Sequence, residues 1–197
     1  MLVALAALLQ AAPGPPLFYW GARPPVIVTE PVSPAGEDAQ VQEVHAARDG
    51  ADIVLRFTLD RPVRQALYLP GGAPVSGRLR AVLYLDLDGD RATGLDQGPR
   101  DLRTGADERL EIGVLAIGED PEEKRPASAL VTAVLASLTA DGRRRIVWRT
   151  DDSARPRQLA LSGEWVEVRL PGAQARLRPG ARVIFSQGEK TWDGRLP

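Results

Sequence analysis

The chain has no cysteine, one histidine and a single methionine, which is residue 1. Without cysteine there are no disulfides, no thiol nucleophile and no Cys-ligated zinc or iron–sulfur site. Export remains open, because a domain with a large enough core needs no disulfide staples. With only His45, a Ser-His-Asp apparatus has one candidate base, and no Gly-x-Ser-x-Gly is present to form a nucleophile elbow. A histidine-built zinc centre lacks ligands. Aromatics make up only 5% of the residues, and lysine occurs only as Lys124 and Lys190. Net charge is −1, so the basic field that nucleic acid or an anionic membrane surface requires is missing. No apolar run reaches bilayer-spanning length. A non-catalytic role is expected.

What the chain has is a central acidic stretch, Ala81–Ala116. Leu83, Leu85 and Leu87 share one parity; Tyr84, Asp86 and Asp88 share the other. A strand sends alternate side chains to opposite faces, so the leucines go to a core and the aspartates leave by the other face. After the loop the alternation returns, with Leu110, Ile112 and Val114 facing in and Asp107, Arg109 and Glu111 facing out. Antiparallel pairing would bring Asp86, Asp88, Asp107 and Glu111 to one rim, with Asp90 at the tip. Eight carboxylates against four arginines between Asp86 and Glu111 form a group that repels itself unless a cation sits in it. Carboxylates on every second residue, with Gly89, Gly94 and Gly98 to turn backbone carbonyls inward, suit calcium, which takes six to eight oxygens. Asp86, Asp88, Asp90, Asp107 and Glu111 are the expected ligands. The EF-hand spacing is absent: Arg91 and Gln97 stand where its Gly and Glu would fall. The competing reading is a polar hairpin loop that uses Asp and Gly only to turn.

Tyr84-Leu85-Asp86-Leu87-Asp88-Gly89-Asp90, then Ala92-Thr93-Gly94, then Gly105-Ala106-Asp107-Glu108, resembles a pattern in secreted β-sandwich domains, those of family 9 carbohydrate-binding modules and the related DOMON-like group. The resemblance covers about thirty residues closely, and 40–190 as a loose strand pattern. It implies a jelly-roll-like sandwich, often with calcium, that binds sugars or, in one branch, haem. For haem the chain offers His45 and no evident second axial ligand, since its only methionine is residue 1.

The rest of the chain fits an all-β, antiparallel sandwich. Residues 1–12 are apolar and read as a signal peptide, so a secreted or periplasmic protein is expected. Residues 13–36 hold seven prolines and form an extended lead-in. Within it Phe18-Tyr19-Trp20 is read as an arm that packs along the domain, and Val26–Val28 as a short edge strand. Residues 37–197 form the single sandwich domain. Strands are expected at Val41–Ala47, Asp52–Leu59, Arg64–Leu69, Ala81–Asp88, Arg109–Ile117, Ala129–Thr139, Arg144–Thr150, Trp165–Leu170 and Arg182–Ser186. Asp49-Gly50 and Asp141-Gly142 mark hairpins. For a glycan, Tyr84, Trp165 and Trp192 are the candidate platforms. Tyr84 leaves its strand beside the aspartates, Trp165 lies opposite Val166 and Val168, and Trp192 sits in a polar, turn-rich end. Trp148, sharing parity with Ile146, is assigned to the core. The partner expected is a glycan or protein ligand. An alternative is a structural or interaction domain in which calcium only stiffens a loop, and a further one is a haem-binding accessory subunit.

Overall fold

A computed structural model describes residues 15–21, 25–29, 39–60, 67–68, 74–75, 78–95, 105–117, 128–151, 157–162, 164–172, 178–187 and 190–197. These form β1 (Val26–Thr29), β2 (Val41–Asp49), β3 (Asp52–Leu59), β4 (Leu67–Tyr68), β5 (Pro74–Val75), β6 (Arg78–Asp86), β7 (Glu108–Ile117), β8 (Ser128–Leu138), β9 (Arg144–Asp151), β10 (Leu159–Leu161), β11 (Trp165–Leu170), β12 (Arg182–Gln187) and β13 (Lys190–Arg195). One sheet runs β1-β2-β3-β11-β10 and the second runs β13-β12-β6-β7-β8-β9; β4 and β5 pair apart from both. All pairings are antiparallel. The protein is an all-β sandwich, as the alternation implied.

The core is the space between the sheets. Ile53, Leu55 and Phe57 of β3 and Val166, Val168 and Leu170 of β11 face it from the first sheet. Leu83 and Leu85 of β6, Leu110 and Ile112 of β7 and Phe185 of β12 face it from the second. Phe57 and Phe185 meet across the gap with ring centroids 6.5 Å apart. Burial of these alternate residues is the main drive for folding, at about 1.5–3 kcal/mol for each large aliphatic side chain.

Both hairpins form where Asp-Gly marks them. Gly50 and Gly142 adopt positive φ, 62° and 78°, the conformation such turns need. Residues 129–138, rich in alanine and leucine, are strand, because cross-strand burial of Val131, Ala133 and Leu135 outweighs helix propensity. Three strands lie outside the sequence expectation, β5, β10 and β13. Trp192 is therefore not at an exposed turn. It lies in β13 opposite Phe185, its ring 5.4 Å from that residue's, packed against the core. Opposite Leu135 and Ala136 of β8 the register shifts, with Val147 as the extra residue of β9, and this changes the parity. Trp148 is buried as assigned, but Ile146 is turned out to solvent. Of the strand expected at Arg64–Leu69, only Leu67–Tyr68 is described; the rest lies outside the described residues, as do residues 1–14.

The lead-in arm packs on the outer face of the first sheet. Glu167, fully buried on β11, accepts hydrogen bonds from the Leu17 N–H, the Trp20 Nε1–H (2.6 Å) and Arg56. Arg169 donates to the Leu17 carbonyl and Arg157 to the Pro15 carbonyl. Trp20 is buried against His45 and beneath the Arg56 guanidinium, while Tyr19 is exposed. His45 is buried under this cover, with its Nε2 3.1 Å from Glu43.

Candidate metal centre

β6 ends at Asp86 because the next residues turn away from the sheet. Asp86 Oδ1 accepts the Gly89 N–H at 2.7 Å, Asp88 Oδ1 accepts the Asp90 N–H at 2.8 Å, and Asp90 Oδ1 accepts the Ala92 N–H at 2.8 Å. Each short carboxylate closes a turn on its own backbone, as Asx residues do. The loop is then tied to the start of β7. Leu95 and Ala106 form a β-bridge, the Asp107 N–H donates to the Leu85 carbonyl, and Asp107 Oδ2 accepts the Leu87 N–H at 2.8 Å.

Gly105, at φ 62°, is needed here. A Cβ at that position would lie 2.6 Å from the Arg91 backbone, so the loop and the strand that follows it touch through a position only glycine can fill.

This fold brings Asp86, Asp88 and Asp107 together, with one oxygen of each within 4.8 Å of the others. Oxygens bound to one calcium at about 2.4 Å lie at most about 4.8 Å apart, a condition that the three meet. Asp86 is 1% exposed, and its Oδ2 is buried with no hydrogen-bond partner. A carboxylate oxygen in that position is costly unless a proton or a cation meets it. Burial pushes the Asp86 carboxyl above its ordinary range, against the lowering by the Gly89 N–H, and the neighbouring Asp88 and Asp107 push it further. Asp88 is shifted the opposite way: the Asp90 N–H and the Thr93 hydroxyl hold it below the usual carboxylate range. One acid of the group is thus ready to bind and another is frustrated, an arrangement that a divalent cation relieves. All three donors are hard oxygens, which suits calcium or magnesium better than a softer metal.

The other expected ligands are placed elsewhere. The Asp90 carboxylate is spent on the Ala92 N–H at the exposed tip and lies outside the group. Glu111 lies along β7 opposite Val82, in ion pairs with Arg80 (2.9 Å), Arg109 (3.2 Å) and Arg144 (3.6 Å). Of the aromatic candidates, Tyr84 is on the outer face of β6, half-buried, with the Arg109 guanidinium 5.8 Å from its ring. Trp165 is half-buried with Arg56 4.9 Å over its ring, and Trp192 packs on the core. Sequence reasoning missed Glu108, which is fully buried opposite Leu85. Its parity with Leu110 was the available signal.

No family model and no solved structure matches the chain. It is 32% identical over 109 residues to the (R)-mandelonitrile lyase of Granulicella tundricola, an alignment spanning 55% of this chain and 72% of that protein.

Proposed function

The chain belongs to the same family as that lyase; from its own residues, however, we propose that it is an exported, calcium-binding β-sandwich with a non-catalytic, carbohydrate-binding-like role. The observation that carries the calcium reading is the buried Asp86, which keeps an unpartnered Oδ2 and brings one carboxylate oxygen within 4.8 Å of oxygens of Asp88 and Asp107. Asp86, Asp88 and Asp107 would hold the ion, with water or backbone carbonyls completing the shell. The ion would lock the Asp86–Leu95 loop to the start of β7.

The glycan half of the reading is supported by the resemblance around Tyr84–Glu108 and by the depression on the outer face of the second sheet described below. Export is supported by the apolar residues 1–12 ahead of the proline-rich lead-in.

Thermal unfolding in millimolar calcium and in chelator tests the central claim. A ligand at a hundredfold excess over Kd adds about 2.7 kcal/mol. At about 2–4 °C per kcal/mol for a domain of this size, the midpoint should rise by about 5–11 °C. Asp88→Ala should abolish the shift. Asp141→Ala, in the β8–β9 turn that adjoins the loop beside Leu95 but lends no oxygen to the group, should keep it. Equal melting of the wild type in calcium and chelator would reduce the loop to a polar turn, the structural alternative.

The kinship favours a second reading, lyase activity. Incubation with (R)-mandelonitrile discriminates: release of benzaldehyde that disappears in Asp86→Asn would replace the non-catalytic role. The reading above expects no release beyond the uncatalysed rate.

A further inference from the structure

Strands β6 to β9 present their outer face as a depression of about 530 Å³, within the range of small-ligand sites. Arg80, Arg109, Arg144 and Glu111 line it. One carboxylate serves three guanidiniums there, which leaves a surplus of two positive charges among these four side chains. The Nε of Arg109 is buried and has no hydrogen-bond acceptor. The side chains of Arg80 and Arg144 are largely exposed, 73% and 60%, so most of their donors remain open to a ligand.

Between the arginines the surface is apolar. Val134 and Ile146 lie on it, and Ile146 is 57% exposed. Gly113 leaves the floor open beside Thr132.

From this combination we infer that the depression binds the carboxylate of a uronic-acid residue in an acidic glycan, an inference that rests on the glycan-binding reading above. The guanidiniums of Arg80 and Arg144 offer forked donors that match a carboxylate bidentately. Val134 and Ile146 offer the apolar strip on which the C–H face of a pyranose ring lies, and the Thr132 hydroxyl is placed to meet a ring hydroxyl. Glu111 holds the arginines in place before the ligand arrives, lowering the ordering cost of binding.

The test is calorimetric titration with a galacturonic-acid dimer, too short to gel with calcium, and with the neutral galactose dimer, at fixed calcium and low salt. The acidic dimer should bind, weaken as salt is added, and lose about tenfold in affinity in Arg80→Gln and in Arg144→Gln, the loss of about one charge-assisted hydrogen bond. Both positions are surface-exposed, and unchanged melting will confirm that the variants fold. Asp88→Ala should retain binding; its loss there would place the contact at the calcium loop and overturn the inference. Binding unaffected by either arginine substitution, or competed equally by inorganic phosphate, would also overturn it. Binding of the neutral dimer alone overturns this inference and leaves the glycan-binding reading standing, whereas silence toward every glycan removes both.

Discussion

Glu167→Gln isolates the contact that holds the N-terminal arm. The Glu167 carboxylate is fully buried and accepts from four donors: the Leu17 N–H, the Trp20 Nε1–H, and the Nε and Nη2 of Arg56 at 2.8 and 2.6 Å. A carboxylamide has one acceptor oxygen and brings two donors of its own. Whichever way it turns, its NH2 faces N–H groups, and the Arg56 charge, 18% exposed, loses its counterion. Removing one partner of a buried ion pair costs about 3–5 kcal/mol. Because Arg56 keeps some water, the lower end applies, about 3 kcal/mol, or a fall of about 6–12 °C in the melting midpoint. Two further readouts separate arm release from general weakening. Limited proteolysis should begin between residues 15 and 29, and tryptophan emission should shift to the red as Trp20 meets water. Trp20→Ala should expose the same sites. If Glu167→Gln melts within about 2 °C of the wild type and the arm stays protected, the clasp contributes nothing and this account of it is wrong.

Asp86 should give calcium-free protein a distinctive pH dependence. Its folded-state pKa is raised, chiefly by burial, so its contribution to stability is fully present below the unfolded value and is lost as pH rises through the folded one. In chelator, Asp86→Asn should therefore melt above the wild type at neutral pH, with the gap closing on acidification; in calcium the order should reverse. Thermal scans across pH in both buffers check this, and a gap that widens on acidification would contradict it. Gly105→Ala should destabilise by about 2–5 kcal/mol, combining a left-handed backbone with a Cβ pressed on the Arg91 backbone, and should weaken calcium binding in a direct titration. Protein purified from a haem-replete host should show no Soret band, since His45 is buried beneath Trp20; stoichiometric haem lost in His45→Ala would refute that.

The sandwich was legible in the sequence because period-two alternation survives wherever one face of a strand is buried and the other is not. Ile53–Leu59 and Val166–Leu170 show the core-facing period clearly, although Val54 and Glu167 on their other faces are covered as well. The pattern fails where that contrast fails. β10 is only Leu159–Leu161, too short to show a period, and β13, Lys190–Arg195, is an edge strand of mostly polar residues. The shift in β9 is invisible because a bulge changes parity without changing composition. For the acidic loop, spacing found the right stretch but could not rank its members. Asp86, Asp88 and Asp107 converge, whereas Asp90 turns back on its own loop and Glu111 is drawn along β7 by arginines. That choice depends on which cations the neighbouring strands bring, and Arg80 and Arg144 come from β6 and β9. Glu108 enters the sequence reading only as part of the loop pattern, with no face given, although its parity with Leu110 points inward, where it is buried.

The order of strands sets the order of events during synthesis. β3 gains β11 as its neighbour, and β6 gains β12, only after about a hundred further residues, with Leu55 paired to Val168 and Leu83 to Phe185. β1 then meets β13, where a side chain at Gly194 would run into the Ile27 carbonyl. Until residues 165–195 have left the ribosome, the nascent chain carries two strands with bare edges and a core that still lacks Val166, Val168, Leu170, Val183 and Phe185. Closure must then be late, nearly all-or-none, and slow, as non-local pairing makes it. During that interval the unpaired edges of β3 and β6 are where two copies would associate wrongly.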